Sequence, residues 1–291
     1  MSVYNLVMIA TNQDNLNIYN LIKSIDYNVK TNKHLLIIIN QGTELILNFS
    51  NPYLTIKTIQ ETKISLSKAR NIALKYLLEN SISSEYIMFP DDDSSFDSVF
   101  FENFQAILGS KKNYITPIFA TGSKELYFGE KTEENTIITA KDHQLIGSPN
   151  QIICYNRLKN TLSFNEDLGV GAKYGSCEDF DLFIRLNILG EKFVFTNQLY
   201  NYHPRKVAAY KDVQLQTIVK RFKNYSSGFA FVIFKYKLFN LIPEYLIRTI
   251  GACVIFALKF QLKLSMAYFL QFFIRIRLLI NFLINGVSKN G

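Results

Sequence analysis

The stretch Glu85-Tyr86-Ile87-Met88-Phe89-Pro90-Asp91-Asp92-Asp93 decides the reading of this chain. A short apolar run stops at a proline, and three acids follow without a spacer. The run reads as a buried strand, and acids at a strand's carboxyl end lie where open α/β sheets bind ligands. Left alone, the three carboxylates repel one another, because like charges a few ångström apart disfavour ionisation. A divalent cation relieves that repulsion and keeps positions open for phosphate oxygens. The alternative is an acidic turn entering a helix, with Ser94 and Ser95 as caps.

Outward from this point the first 200 residues alternate apolar runs with helical patterns, which predicts an α/β layer architecture. Residues 3–10, 34–40, 53–59, 85–90 and 151–155 read as strands. Residues 68–80 form a helix with Ala69, Ile72, Ala73, Tyr76 and Leu77 on one face. A later helix starting at Glu178 places Phe180, Phe183, Ile184 and Ile188 on one side and stops at Gly190. Residues 120–148 carry no readable motif.

With 291 residues, 48% apolar and 19% charged, the chain is not intrinsically disordered. Thirteen Gly and six Pro exclude a collagen-like or linker-dominated chain. Cys154, Cys177 and Cys253 form no CxxC pair, which argues against a zinc ribbon or disulfide framework and fits a reducing compartment. The N-terminal residues have no basic region and do not predict a secretory signal.

Charge is unevenly distributed. Residues 211–291 hold 12 Lys and Arg against two acids, whereas residues 1–210 hold 20 bases against 22 acids. The basic tail is strongly apolar but is punctuated by Arg248, Lys259, Lys263, Arg275 and Arg277. Two central arginines at mid-bilayer would each cost about 2.5–3.5 kcal/mol. Helices lying in the membrane interface, with Lys and Arg reaching headgroups, are therefore expected over a true span or hairpin and over a soluble core or oligomer interface. The expected partner is an anionic membrane surface, not nucleic acid, since the tail is apolar at most of its other positions.

A second acidic pair, Glu178-Asp179, follows the Gly-rich loop Leu168 to Gly175. Ser176 to Asp179 has capping-box spacing, and acids favour a helix start, so a purely structural role stands beside that of a general base. The glycine spacing is not a dinucleotide fingerprint.

Taken in order, Ser65-Leu66-Ser67-Lys68-Ala69-Arg70-Asn71, Phe89-Pro90-Asp91-Asp92-Asp93, and Leu168-Gly169-Val170-Gly171 with Glu178-Asp179 resemble the inverting family 2 glycosyltransferases of the GT-A fold, over about residues 3–205. The resemblance implies an α/β nucleotide-binding sandwich with a mostly parallel central sheet over residues 1–210, followed by a helical membrane-associating region at 211–291. It implies that Asp91 and Asp93 meet Mn²⁺ or Mg²⁺ and, with Asp92 adding charge between them, the ribose and diphosphate of the donor. Asp179, with Glu178 beside it, corresponds to the base on the acceptor hydroxyl. Thr11 and Asn12 correspond to a turn that contacts the nucleobase, and Arg70 and Asn71 to a segment lining the donor pocket, although a helix-surface cation is an alternative for Arg70. His203 corresponds to a histidine that some GT-A enzymes place on the metal, against an ordinary loop histidine. The chain departs from the pattern at Asn40, where many members carry an aspartate that bonds uracil; an amide there still pairs with a base edge.

The expected function is metal-dependent inverting transfer from a nucleotide-sugar, a UDP-sugar foremost, to a glycan or lipid-linked acceptor in bacterial surface-polysaccharide synthesis. The expected location is the cytoplasmic side of the inner membrane, peripheral or monotopic. Two other classes compete: a catalytically inactive membrane-peripheral scaffold that binds sugar nucleotides, and a metal-dependent nucleotidyltransferase. The second lacks a GxxxxGK[ST] loop.

Overall fold

The computed structural model describes residues 3–13, 15–127, 131–204, 210 and 212–286. It divides into two compact units. The first comprises Met1–Phe164 and Leu182–Arg205, and the second Asn165–Asp181 and Lys206–Gly291. The boundary expected at 210/211 falls in residues 205–211, of which only Tyr210 is described.

The first unit is built on β1 (Val3–Asn12), β2 (His34–Asn40), β3 (Leu54–Gln60) and β4 (Ser83–Met88). These four strands pair in parallel in the order β3-β2-β1-β4. The sheet continues through β8 (Gln151–Cys154), β5 (Asn113–Ile115), β9 (Phe193–Phe195) and β7 (Ile137–Ile138). There β8 runs antiparallel to both of its neighbours, so the sheet is mixed, with its parallel half at the strands legible in the sequence. A separate pair joins β6 (Ile118–Ala120) to β10 (Asn201–His203).

Strands buried on both faces read as continuous apolar runs, and β1 and β2 do. Side chains alternate across the sheet. Leu6, Met8 and Ala10 of β1 join Ile18, Leu21 and Ile25 of α1 (Asn15–Asn28) and Phe100 and Phe104 of α3 (Ser98–Ile107) in one cluster. Val7 and Ile9 point to the opposite face, where α2 (Leu66–Glu79) packs Ala69, Ala73 and Leu77. Each Val, Leu, Ile, Met or Phe among them contributes about 1.5–3 kcal/mol when fully buried. Ser65 caps α2, accepting from the Lys68 amide at 3.4 Å. Asp97, rather than Ser94 or Ser95, caps α3 by accepting from the Phe100 amide at 3.1 Å.

Beyond the short α4 (Tyr155–Leu158), α5 (Glu178–Ile188) buries Phe180, Phe183 and Ile184 as expected, but Ile188 is 68% exposed. Gly190, at φ 87°, turns the chain out of the helix, and Phe193 of β9 fills the core beside Phe183 at 4.9 Å between ring centres.

The second unit packs α6 (Leu215–Lys235), α7 (Ile242–Leu258) and α8 (Leu262–Asn285) together. Two segments, Phe239–Leu258 and Leu262–Asn285, are long and apolar enough to cross a membrane by length and composition. One expectation for this tail fails. Arg275 does not reach outward but turns into the bundle, its guanidinium 4.0 Å from the centre of the Tyr245 ring and its Nε 3.4 Å from Ser226 Oγ. Packing on an aromatic ring and a hydroxyl holds the charge inside, where sequence spacing alone could not place it.

His34, at the start of β2, is buried edge-on against Phe101, with its Nε2 3.2 Å from the Thr31 carbonyl. Burial pushes its pKa down to about 4. The unfolded chain takes up a proton below about pH 6.5 that the fold rejects until pH 4. Stability is therefore expected to fall by about 3 kcal/mol as pH drops through that window. Urea denaturation between pH 7 and pH 4 measures this, and His34→Gln should flatten the slope.

Candidate metal centre

Three side chains from two distant parts of the first unit, the turn after β4 and the end of β10, converge just beyond β4. After Met88 the chain passes the buried Phe89 and turns, with the Ser94 amide donating to the Asp91 carbonyl at 3.0 Å. Ser95 then makes a two-bond antiparallel bridge with Tyr202, both bonds 2.9 Å. The Tyr202 hydroxyl adds a 3.0 Å bond to Asp97. This bridge carries the neighbouring His203 to the acids. Its Nε2 lies 2.8 Å from Asp93 Oδ1 and 3.6 Å from Asp91 Oδ2.

The potential ligand atoms of Asp91, Asp93 and His203 all lie within 4.8 Å of one another. His203 is 5% exposed, and its Nδ1 faces the Pro204 carbonyl at 3.0 Å. A carbonyl partner makes Nδ1 the donor and aims Nε2 at the carboxylates, the orientation a metal-ligating histidine needs. The Tyr127 ring, 4.4 Å away between centres, packs against the imidazole. Burial works against a charge on His203, but hydrogen bonds and the negative charges of Asp91 and Asp93 outweigh it and raise its pKa to about 9. Two carboxylates and one oriented imidazole fit Mn²⁺ or Mg²⁺, which favour oxygen ligands and, for Mn²⁺, accept a nitrogen.

Arg70 stands behind this cluster. It is 1% exposed, so it is not a helix-surface cation. Its Nη1 donates to Ser148 Oγ at 2.8 Å, and Nη2 lies 3.6 Å from Asp91 Oδ1. Phe89 and Phe164 pack around the guanidinium at 5.9 and 5.2 Å from their ring centres. Nothing in the sequence marks Ser148 as a partner. Asn71, one residue on, clasps the backbone of Phe164: its Nδ2 donates to the carbonyl at 2.9 Å and its Oδ1 accepts from the amide at 2.7 Å. Asp92 is half-buried, between Asp91 and Asp93 in the chain.

Register places Asn12, Asn40 and Gln60 in one row across β1, β2 and β3. Asn12 Nδ2 donates to Asn40 Oδ1, and Asn40 Nδ2 donates to Gln60 Oε1 and to the Thr43 carbonyl, each at 2.7 Å. Asn40 is fully buried, and its whole amide serves the fold. Contact with a base edge would break one of these bonds. Thr11, beside Asn12, is partly exposed.

Glu178 and Asp179 belong to the second unit and form the first turn of α5. Cys177 precedes them at φ 66°, an uncommon left-handed conformation for a residue with a side chain. The helix opens with the Asp181 amide donating to the Cys177 carbonyl at 3.0 Å. Glu178 is buried, Asp179 is half-buried, and Asp179 Oδ1 accepts from the Phe180 amide at 2.7 Å. Ser176 Oγ reaches across to α6, donating to the Tyr225 carbonyl at 3.1 Å. Asp181, fully buried, takes Lys235 Nζ and the Tyr236 hydroxyl, both at 2.8 Å.

No protein-family model and no curated protein matches the chain. Solved structures do. S. aureus TarS residues 1–349 in complex with UDP is 13% identical, with a TM-score of 0.53 over 97% of this chain and 92% of that one. The same TarS fragment with UDP-GlcNAc gives 11% identity and a TM-score of 0.50 over the same shares. GalNAc-T7 with UDP, GalNAc and Mn²⁺ gives 11% identity and 0.51, over 79% of this chain and 47% of that one. A further TarS structure matches over 76% of this chain, which spans 39% of that chain's length. These neighbours are glycosyltransferases of the GT-A type, and the α/β fold of this chain is theirs.

If the cluster holds a cation, Mn²⁺ should raise the melting temperature of the protein, and His203→Ala and Asp93→Ala should each weaken binding about tenfold or more. Calorimetric titration measures this, and equal affinity in all three proteins would sink the assignment.

Proposed function

We propose that this chain is a metal-dependent, inverting glycosyltransferase that moves a sugar from a nucleotide-sugar to a hydroxyl of a glycan or lipid-linked acceptor. The observation that carries the reading is the convergence of Asp91, Asp93 and His203 beyond β4 in a GT-A fold. That TarS binds UDP and UDP-GlcNAc, and GalNAc-T7 binds UDP and Mn²⁺, supports a UDP-sugar donor and a divalent cation here. Bacterial surface-polysaccharide synthesis at the cytoplasmic face of the inner membrane is the setting we assign, from the family resemblance and the basic, apolar tail.

Inverting transfer asks two things of the protein. The acceptor hydroxyl must lose its proton as it attacks the anomeric carbon, and the nucleoside diphosphate must leave with its charge compensated. Asp179 takes the proton in this reading, with Glu178 beside it. Asp91, Asp93 and His203 would hold the cation, which would supply positive charge for the departing diphosphate. Arg70, buried and tied to Ser148, fixes Asp91 and lends the donor side a permanent charge. In this reading Thr11 meets the nucleobase at the end of β1, with the fully buried Asn12 holding the turn beneath it through Asn40, Asn71 shapes the pocket wall through Phe164, and Asp92 adds charge. One new bond forms between acceptor oxygen and anomeric carbon, the bond to the diphosphate breaks, and the anomeric configuration inverts.

Asp179→Asn tests the base. Asparagine keeps the size and much of the hydrogen bonding but takes no proton at neutral pH. Transfer is expected to fall by about 10²–10⁴-fold with donor affinity retained. UDP release from a panel of UDP-sugars with Mn²⁺, measured beside calorimetric donor binding, separates the two quantities. Unchanged turnover removes Asp179 from the role, and pyrophosphate release in place of UDP supports a nucleotidyltransferase.

A further inference from the structure

In α7 and α8 polarity is inverted. Most outward-facing positions are apolar and exposed, among them Ile247, Ile250 and Val254 on α7, and Met266, Phe269 and Phe273 at helical spacing on α8. Several inward-facing positions carry polar groups. Ser226 of α6 is fully buried and receives Gln271 Nε2 at 3.1 Å and Arg275 Nε at 3.4 Å on its hydroxyl. Its carbonyl accepts the Tyr245 hydroxyl at 2.8 Å. A bundle designed for water has the reverse arrangement. Apolar outside and hydrogen-bonded inside is the arrangement that hydrocarbon requires, because polar groups there must find partners within the protein.

The charge identifies the occupant. Residues 242–286 hold five bases and one acid, and that acid, Glu244, is paired with Arg248 at 2.8 Å. The exposed Arg277 and Lys259 stand among the apolar residues, in reach of phosphate headgroups.

The same turn of α6 that carries Ser226 also seats the Gly175–Asp181 segment. Ser176 Oγ donates to the carbonyl of Tyr225, the residue before Ser226. Contact is close enough to require glycines. A Cβ on Gly228 would fall 2.3 Å from the Ser176 carbonyl oxygen, and one on Gly175 would fall 2.7 Å from Asn224 Cβ. The segment therefore lies directly on one side of a helix whose other polar contacts are with α7 and α8.

We propose that an anionic phospholipid bilayer docks on the outer face of α7 and α8 and, through the Ser226 turn of α6, stabilises the Gly175–Asp181 segment. The physical basis is linkage. Without lipid, the apolar outer face leaves α7 and α8 held from one side only, and local opening is favoured. Lipid binds the packed helices and not the opened ones, so it stabilises whatever opens with them. Only the catalytic consequence, a better-ordered Asp179, rests on the proposed function.

The test is hydrogen exchange on the full chain, mixed with phosphatidylcholine vesicles with and without phosphatidylglycerol, alongside vesicle flotation. Flotation should increase with the anionic lipid, and exchange should slow both in 242–286 and in 175–181. Gly228→Ala forces the segment away from α6 while favouring the helix itself. It should keep flotation and the protection of α7 and α8 but lose the slowing at 175–181. Ser176→Ala, a milder change that removes one hydrogen bond, should speed exchange at 175–181 about fivefold with flotation unchanged. Flotation with no change at 175–181 in the unaltered protein overturns the coupling. A protein that does not float, including one that buries the face in a dimer by sedimentation, overturns the docking. Neither readout uses donor or metal, so failure of the glycosyl-transfer reading is a separate result.

Discussion

Asp91 and Asp93 place two negative charges beside each other at the end of a buried strand, and the first unit is organised around that repulsion. Two cations answer it from opposite sides of the chain. Arg70 comes from α2, wedged between Phe89 and Phe164, and His203 comes from β10. Both are almost fully buried, where a charge without a partner is costly, so each is held by the acids as firmly as it holds them. The arrangement is self-consistent only while all four groups are present. A divalent cation would take over part of the same compensation, so a constellation that works as a structural knot is also one that could hold a metal ion.

What was legible in the sequence follows from how each feature is encoded. The strands β1, β2 and β4 were readable because burial on both faces demands unbroken apolar runs. The face of α2 followed from its 3.6-residue period. Asp91 and Asp93 were readable because acids directly after such a strand have few structural uses. His203 was named from family resemblance, but its contact with the acids depends on a single bridge, Ser95 to Tyr202, between residues more than a hundred apart. The amide row of Asn12, Asn40 and Gln60 depends on strand register, which no local pattern states, and it turns Asn40 from a candidate base contact into a buried tie. Strands of two or three residues, such as β6, β7 and β10, are too short for any periodicity to declare them.

The tail shows the same limit. Apolar runs with scattered Arg and Lys suggested a uniform interfacial helix, yet Arg275 and Arg277, two residues apart, face opposite environments. A two-residue step turns a helix by about 200°, so one points into the bundle and the other away from it. Composition counts both charges alike. Only the packing of Tyr245 and Ser226 around Arg275 distinguishes them, and it converts a supposed headgroup contact into a tie between three helices.

A boundary drawn at 210 treats the helices as an appendage to a complete catalytic body. Compactness groups the residues differently, because Asn165–Asp181 cluster with the helices. That segment, which contains the Gly-rich loop and Asp179, packs tightly on α6 at Gly228. Asp181 finds its charge partner in Lys235, at the far end of that helix. Removing the residues after 214 would leave Asp181 buried without its cation or would expose it, and would take away the Tyr225 carbonyl to which Ser176, beside the left-handed Cys177, donates. The glycine at 228 is the clearest sign that segment and helix form one element, since glycine weakens a helix interior by about 1 kcal/mol relative to alanine. Here that cost has a specific return: the Ser176 carbonyl reaches the helix backbone at a distance no side chain permits.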